Sequence, residues 1–241
     1  MKNKPELLAV TENWIAVNKP AGLLSVPDRE QSEPSLKDLL RAQFGNIWVV
    51  HRLDKFTSGL IVFARTEEAH KYLSRQWEEH RVEKYYQGLV QGRPLLQEGT
   101  VEAGIMEHPS KKGTYITHRK GKPSRTDYKV LQYFGPYTWM EFRIHTGRTH
   151  QIRVHMKHIG HPIVCDEVYG TAAPVLLSNI KGKKFKLSQN EEAERPLLSR
   201  MALHAWKLQF TDADGSLVAL EAPLPKDLLA LKKQLEKWSS T

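Results

Sequence analysis

Residues 51–59 read HRLDKFTSG, which sets one carboxylate, Asp54, after the basic pair His51 and Arg52 and directly before Lys55. Val49 and Val50 precede this stretch and GLIVFA follows it, so a polar turn joins two apolar, strand-like segments. Buried strands have no need of an acid and three basic groups at their junction. A site that holds an ionised carboxylate beside a polyanion does. Flanking cations lower the pKa of an acid, which suits a nucleophile or an electrostatic anchor better than a general acid. The ordinary alternative is a loop aspartate in a surface salt bridge. Thr57-Ser58-Gly59 weighs slightly against it, because small hydrogen-bonding residues and a glycine suit a tight, functional strand-to-strand crossing. HRLD is also similar to the HRD catalytic loop of protein kinases, but the downstream asparagine, the Gly-rich phosphate loop and the DFG are all missing.

A second constellation spans residues 145–161, HTGRTHQIRVHMKHIGH. Its five histidines invite a metal site, yet no pair has the helical HExxH arrangement and no acid lies in the run before Asp166. Arg148, Arg153 and Lys157 make the better case. They fall on a turn and the first turns of a helix, where backbone N–H groups and guanidinium forks favour phosphate or carboxylate. A third constellation is Lys84-Tyr85-Tyr86-Gln87-Gly88. Tyr85 reads as an ordinary strand residue. Tyr86 shares its face with Gly88, where close approach is allowed, and a flat ring there could stack on a nucleobase. Finally, residues 111–125 hold six Lys/Arg, no acid and three Gly or Pro. A solvated charge run is the usual explanation. With Tyr115, His118 and Arg119, the same stretch is equally suited to gripping folded RNA.

The elements that must position these groups are legible in outline. Trp14 to Val17 is β-prone and ends in the turn Asn18-Lys19-Pro20-Ala21-Gly22. Ser35 and Asp38 form a capping-box signature opening an amphipathic helix to about Phe44. Gly59 to Ala64 reads as a continuous apolar strand. Thr66, Glu67 and Glu68 open a second helix with Ala69, Tyr72, Leu73 and Trp77 on its buried face. Tyr85 to Val90 returns to strand character. Met140, Phe142 and Ile144 alternate into Thr146-Gly147-Arg148, and Ile152, Met156 and Ile159 mark a short helix stopped by Gly160 and Pro162. His204 to Phe210 and Leu217 to Leu220 flank a hairpin turn at Asp212-Ala213-Asp214-Gly215. A closing helix runs from Lys226 with Leu228, Leu231, Leu235 and Trp238 on one stripe. Residues 111–125 and 181–195 read as loops. Strand pairs with short turns predict an α+β fold, a mainly antiparallel sheet with helices around it. No interior stretch resembles a linker, so a single domain over residues 1–241 is expected.

Composition narrows the partners. A net charge of +9 favours nucleic acid, anionic membrane or acidic protein and does not choose among them. No apolar run approaches the ~20 residues needed to span a bilayer, and the N-terminus lacks the apolar core of a signal peptide. The single cysteine, Cys165, excludes an internal disulfide and any multi-cysteine metal site. A cytoplasmic protein is expected.

Taken in order, these constellations resemble one family closely, the RluA-type RNA pseudouridine synthases. The matching stretches are NKPAGLLSVP (residues 18–27), HRLDKFTSGLIVFAR (51–65), KYYQGLVQG (84–92) and HTGRTHQIRVHMKHIGHPIVCDEVYG (145–170), with RPLLSRMALHA (195–205) as a further piece. The resemblance implies the pseudouridine synthase fold, a mixed and mostly antiparallel sheet with flanking helices and loops. It implies Asp54 as the essential catalytic aspartate and Arg52 as the arginine that helps fill the gap left by a flipped uridine. Tyr86 corresponds to the tyrosine that stacks on uracil, Arg153 to the basic residue that pairs with the aspartate, and Ile152 to a residue lining the uracil pocket. Arg148 and His150, with Lys111, Lys112, Arg119 and Lys120 of the basic loop, are assigned to RNA binding. The implied substrate is ribosomal or transfer RNA, acted on by a monomer with neither cofactor nor metal. Two features depart from the family. Cys165 stands where a glycine is usual, and the small N-terminal RNA-binding domain of many relatives is not expected here. Two rival readings are a non-catalytic RNA-binding protein on the same scaffold and a phosphoryl-transfer or hydrolytic enzyme. The first should have lost Asp54, Tyr86 or Arg153; the second needs an acid cluster or phosphate loop that the sequence does not show.

Overall fold

The computed structural model describes residues 4–187 and 193–238. Strands β1 (Glu6–Val10) and β2 (Trp14–Lys19) precede helix α1 (Leu36–Phe44). Strands β3 (Trp48–Val49) and β4 (Ser58–Ala64) bracket the HRLD loop, and helix α2 (Glu67–Glu78) leads into β5 (Glu83–Gln91). There follow β6 (Glu98–Glu102), β7 (Ile105–Glu107), β8 (Tyr115–Thr117), β9 (Arg125–Phe134) and β10 (Tyr137–Ile144). Helix α3 (Gln151–His158) and the short α4 (Leu177–Lys181) come next, then β11 (Leu203–Thr211), β12 (Leu217–Glu221) and helix α5 (Lys226–Trp238).

The described residues group into two compact units interleaved along the chain. The first comprises residues up to Tyr86, Arg143–Thr146 and Leu203–Pro223; the second comprises Gln87–Phe142, Gly147–Ala202 and the chain from Leu224 on. In the first unit the strand order is β1-β2-β4-β11, with β5 next, β3 added on β4 and β12 on β11. The β11–β4 pair is parallel, whereas β1–β2, β2–β4, β3–β4 and β11–β12 are antiparallel. In the second unit the order is β5-β10-β9-β6, and β7 and β8 form a separate two-stranded hairpin. The architecture is thus α+β, a mixed and mostly antiparallel sheet with a few helices.

The core of the first unit explains why β4 reads as an unbroken apolar run. All seven of its residues are buried. Leu60, Val62 and Ala64 pack with Trp14 and Ala16 of β2, Ala69 and Leu73 of α2, and Leu208 and Phe210 of β11. The capping box is formed as the sequence predicts: the Ser35 hydroxyl accepts from the Asp38 amide and the Asp38 carboxylate accepts from the Ser35 amide. Such a cap contributes about 1 kcal/mol. Thr66 likewise caps α2 by accepting from the Ala69 amide.

Two loop expectations are corrected. Residues 111–125 contain β8, whose Tyr115, Ile116 and Thr117 pair with Glu107, Met106 and Ile105 of β7. The surrounding lysines hide a three-residue β-prone run whose partner lies about ten residues upstream. Residues 181–195 begin with the end of α4 and a 3-10 turn at Gly182–Lys184; residues 188–192 of that stretch lie outside the described residues. Strands β1, β6 and β9 are further elements; β6 and β9 carry polar or mixed residues that hydropathy alone does not mark, whereas β1 is a short apolar run, LLAV, left exposed or half-buried. Among the described residues no helix is long and apolar enough to cross a membrane.

Candidate active site

Asp54 lies in the loop between β3 and β4, half-buried, with Arg52 exposed and Lys55 half-buried beside it. The loop is held by its backbone on both sides of the aspartate. Before it, the buried Ser25 hydroxyl donates to the Leu53 carbonyl (2.8 Å) and accepts the Leu53 amide (3.1 Å). After it, the Lys55 carbonyl accepts both the Gly22 amide (2.9 Å) and the Lys19 ammonium (3.0 Å). The Thr57 amide closes a turn onto the Asp54 carbonyl at 3.1 Å. Lys19 is fully buried and donates as well to the carbonyls of Pro20 and Leu23 at 3.0 and 2.8 Å. A buried ammonium is tolerable when carbonyl dipoles replace its lost water. Here it ties the end of β2 to the loop carrying Asp54, and Lys55 pairs outward with Glu33. Neither Lys19 nor Ser25 stands out in the sequence, although a lysine closing an apolar strand (WIAVNK) was the available signal.

Gly59 is required by the crossing that follows. Its φ is +113°, and a Cβ there would stand 2.1 Å from the Ala205 carbonyl oxygen of β11. Only glycine lets these two parallel strands approach so closely. His51 has a structural part. Its Nε2 accepts the Val62 amide at 3.0 Å, where β3 has ended, and its ring stacks on Trp77 at 4.7 Å. Burial, with the nearby Lys84 charge, depresses His51 to about 3, so at neutral pH it is the neutral acceptor that this bond needs.

Tyr86 stands on β5 in the same unit as Asp54, 9% exposed. Burial raises its phenol above the ordinary tyrosine value, and the Asp54 charge, close enough to act on it, raises it further. The side chain is therefore a neutral ring with an O–H to donate. Lys84, two residues earlier on the same face, is 6% exposed and lowered by burial to about 8.

Arg153 and Ile152 lie in the second unit on α3, both buried at 8% and 4% exposure. Arg153 makes a bidentate pair with Asp166, Nε to Oδ2 at 2.7 Å and Nη2 to Oδ1 at 2.9 Å. Burial alone would raise the Asp166 carboxyl, but the guanidinium and the amides of Val168 and Tyr169 outweigh it and hold the group below the usual carboxylate range. Arg153 also sits over the Tyr169 ring at 4.8 Å. His150 adopts a left-handed backbone (φ 57°) at the start of α3 and shares a 2.8 Å hydrogen bond with the Tyr169 hydroxyl. Arg148 is half-buried, donating to the Pro123 carbonyl at 3.3 Å. Gln151, which sequence reasoning passed over, is 3% exposed. It accepts the Arg148 amide and donates to the Arg125 carbonyl and the Thr126 hydroxyl, fixing the turn to the start of β9. Lys111, Lys112, Arg119 and Lys120 are all exposed.

The Cys165 departure has a visible cost. Its φ is +58°, the region where glycine is at ease, which is why a glycine there would be natural. The buried thiol points to the Ala173 and Leu198 carbonyls, and burial raises its pKa, so it is inert rather than nucleophilic.

Comparison with known proteins places this fold in one class. The sequence matches the RNA pseudouridylate synthase family over residues 13–158, and the chain belongs to that family. It is 38% identical over 233 residues to the ribosomal large subunit pseudouridine synthase D of Nitrosomonas europaea, covering 94% of this chain and 64% of that protein. The protein of the same name from Buchnera aphidicola is 33% identical over 98% of this chain and 76% of its own length. The chain thus spans about two thirds of the length of such relatives. Among solved structures, Human RNA Pseudouridylate Synthase Domain Containing 1 superposes with a TM-score of 0.72 at 26% identity, covering 99% of this chain and 96% of that one.

Proposed function

We propose that this protein is an RNA pseudouridine synthase that isomerises uridine to pseudouridine within RNA. Asp54 is its catalytic residue, Tyr86 stacks on the detached uracil, and Arg153 is the basic residue assigned to pair with the aspartate. The observation that carries this reading is local to the first unit: a buried, protonated tyrosine ring lies within the field of a half-buried aspartate whose backbone is fixed on both sides. The reaction moves a bond from nitrogen to carbon with no change of charge or oxidation state, so the site has to place an ionised acid and a flat platform rather than supply electrons. The uridine must leave its stack, which costs a few kcal/mol unless the RNA is already open there. Arg52, exposed beside Asp54, then helps to occupy the vacated position, and Ile152 lines the uracil pocket. Arg148, His150 and the exposed cations Lys111, Lys112, Arg119 and Lys120 hold the RNA.

The substrate is ribosomal or transfer RNA, and the names of the Nitrosomonas and Buchnera relatives favour the large ribosomal subunit. The protein works as a monomeric catalytic domain in the cytoplasm. That the chain crosses repeatedly between its two units supports a single functional domain, because neither unit is a separable stretch. The test is pseudouridine mapping of total RNA from cells with and without the gene. Loss of one or a few pseudouridines in the deletion strain, restored by the wild-type gene, supports the proposal. An identical map contradicts it.

A further inference from the structure

Within the second unit, α3 and the β7–β8 hairpin enclose a cavity of about 370 Å³. Its lining includes Lys111, Tyr115, Ile116, Val154, Lys157 and His158. This volume is at the low end of small-ligand sites, which run from ~300 to 1,000 Å³. The walls divide by chemistry. Val154 is 3% exposed and continues the small core of Ile105 and Tyr169, with the Tyr115 ring packed against it. Two lysines, Lys111 from the β7–β8 connection and Lys157 from α3, also line it. No acidic side chain lines the cavity among the described residues. An aromatic and aliphatic floor with two lysines, two histidines and two threonines in the remaining wall, and no acid, suits a planar base joined to a phosphate.

The hairpin is not loosely attached. The Tyr115 amide donates to the Tyr169 hydroxyl at 2.8 Å, and that hydroxyl in turn shares a 2.8 Å hydrogen bond with His150 at the start of α3. Thr117 is joined to His158 at 3.0 Å. Lys157 lies one helical turn beyond Arg153, and both cations face the Tyr169 ring, at 5.8 and 4.8 Å. The same aromatic ring therefore supports the buried arginine and the exposed lysine at the cavity mouth.

We propose that this cavity binds a single nucleotide of the substrate RNA. The base rests on Tyr115 and Val154, and the phosphate is held by Lys157 and Lys111. The inference rests on the pseudouridine synthase reading, and extends it by making the hairpin a reader of one nucleotide rather than a diffuse basic surface.

The probes are a fluorescent decauridylate, titrated by anisotropy across a salt series, and unmodified RNA from cells lacking the gene, assayed for pseudouridine. The paired variant Lys111→Ala/Lys157→Ala should weaken decauridylate binding about tenfold and flatten the log–log salt slope by about 0.7 for each lysine removed. It should also raise KM more than it lowers kcat. Tyr115→Leu keeps the backbone bond to Tyr169; it should weaken binding at least about fivefold through lost stacking, with the salt slope unchanged. Lys129→Ala, an exposed site on β9, is the control. Affinity, slope and KM matching that control in both variants would overturn the proposal. Should the wild type form no pseudouridine, the enzymatic reading fails and the decauridylate arm alone decides. Weakened binding in the variants then still supports the cavity, and unchanged binding overturns it.

Discussion

Asp54, with Arg52 and Lys55 beside it in the chain, and Asp166, paired with Arg153, are both aspartates near cations, and the structure treats them in opposite ways. Asp166 is 1% exposed, and its oxygens accept from Arg153 Nε and Nη2 and from the amides of Val168 and Tyr169. Its carboxylate is the object being fixed. Around Asp54 the fixing runs through the main chain, with Ser25 holding Leu53, and Lys19 and Gly22 holding Lys55. The side chain itself is half-buried. One acid is enclosed with its carboxylate held in place, whereas the other is carried on a backbone that is itself held. The comparison also assigns their neighbours: Arg153 takes its orientation from Asp166, and Lys19 serves the loop of Asp54.

The widest separation between the two acids should appear in stability. Asp166→Ala removes the carboxylate that holds the buried Arg153 guanidinium through two nitrogens and should destabilise by about 3–5 kcal/mol, read as a fall in urea midpoint at constant m. A loss below 1 kcal/mol would break the comparison. Lys19→Met keeps the apolar stem but takes the ammonium from the Pro20 and Leu23 carbonyls and one of two donors from the Lys55 carbonyl. It should cost about 3 kcal/mol and reduce pseudouridine formation more than tenfold in protein that remains folded. Full activity in folded Lys19→Met would show that the loop needs no such anchor.

Acid sensitivity sharpens the contrast further. His51 is neutral in the folded state down to about pH 3, while the unfolded side chain takes up a proton near its ordinary value of 6.5. The unfolded state thus binds more protons across that window, and stability is lost as pH falls from about 6.5 towards 3, with a slope approaching ~1.4 kcal/mol per pH unit. His155, also lowered by burial, adds in the same direction. His51→Gln, which can still accept the Val62 amide, should remove the His51 share of the slope between pH 6.5 and 4.5. Chemical denaturation across that range checks it, and an unchanged slope contradicts the assignment. The smallest effect is expected at Cys165. Relief of a left-handed backbone opposes the loss of a buried side chain and the gain in chain entropy. Cys165→Gly should therefore stay within about 1 kcal/mol of wild type, whereas the β-branched Cys165→Val should lose more than ~2 kcal/mol. Equal stability of the two would refute the left-handed backbone at this position.

Much of this was legible in the residues. The period of α1, α2 and α5, the N-terminal signals of α1 and α2 and the apolar run of β4 are local signals, and each element formed where its pattern lay. Asp54, Tyr86 and Arg153 stood out because charged or aromatic groups at the borders of apolar runs are conspicuous. The missing parts share a different cause. Lys19, Ser25, Gln151 and Asp166 act by hydrogen bonds to residues 13 to 36 positions away, and nothing in their own surroundings announces a distant carbonyl or guanidinium. The β7–β8 hairpin was obscured in the same way, as a short β-prone triplet inside a lysine-rich stretch whose partner strand is itself only three residues long. His51 shows the reverse error of emphasis: it belongs to the most conspicuous charged turn, yet it is uncharged and structural.

The central claim is that Asp54 reacts and is not needed to hold its loop. Unmodified RNA from cells lacking the gene, incubated with equal amounts of wild-type and Asp54→Asn protein and analysed for pseudouridine by mass spectrometry, tests it most directly. Wild type should form pseudouridine, and Asp54→Asn should be slower by roughly a thousandfold or more, with unchanged RNA affinity and a urea midpoint near that of wild type. Turnover by the variant within tenfold of wild type would contradict the account.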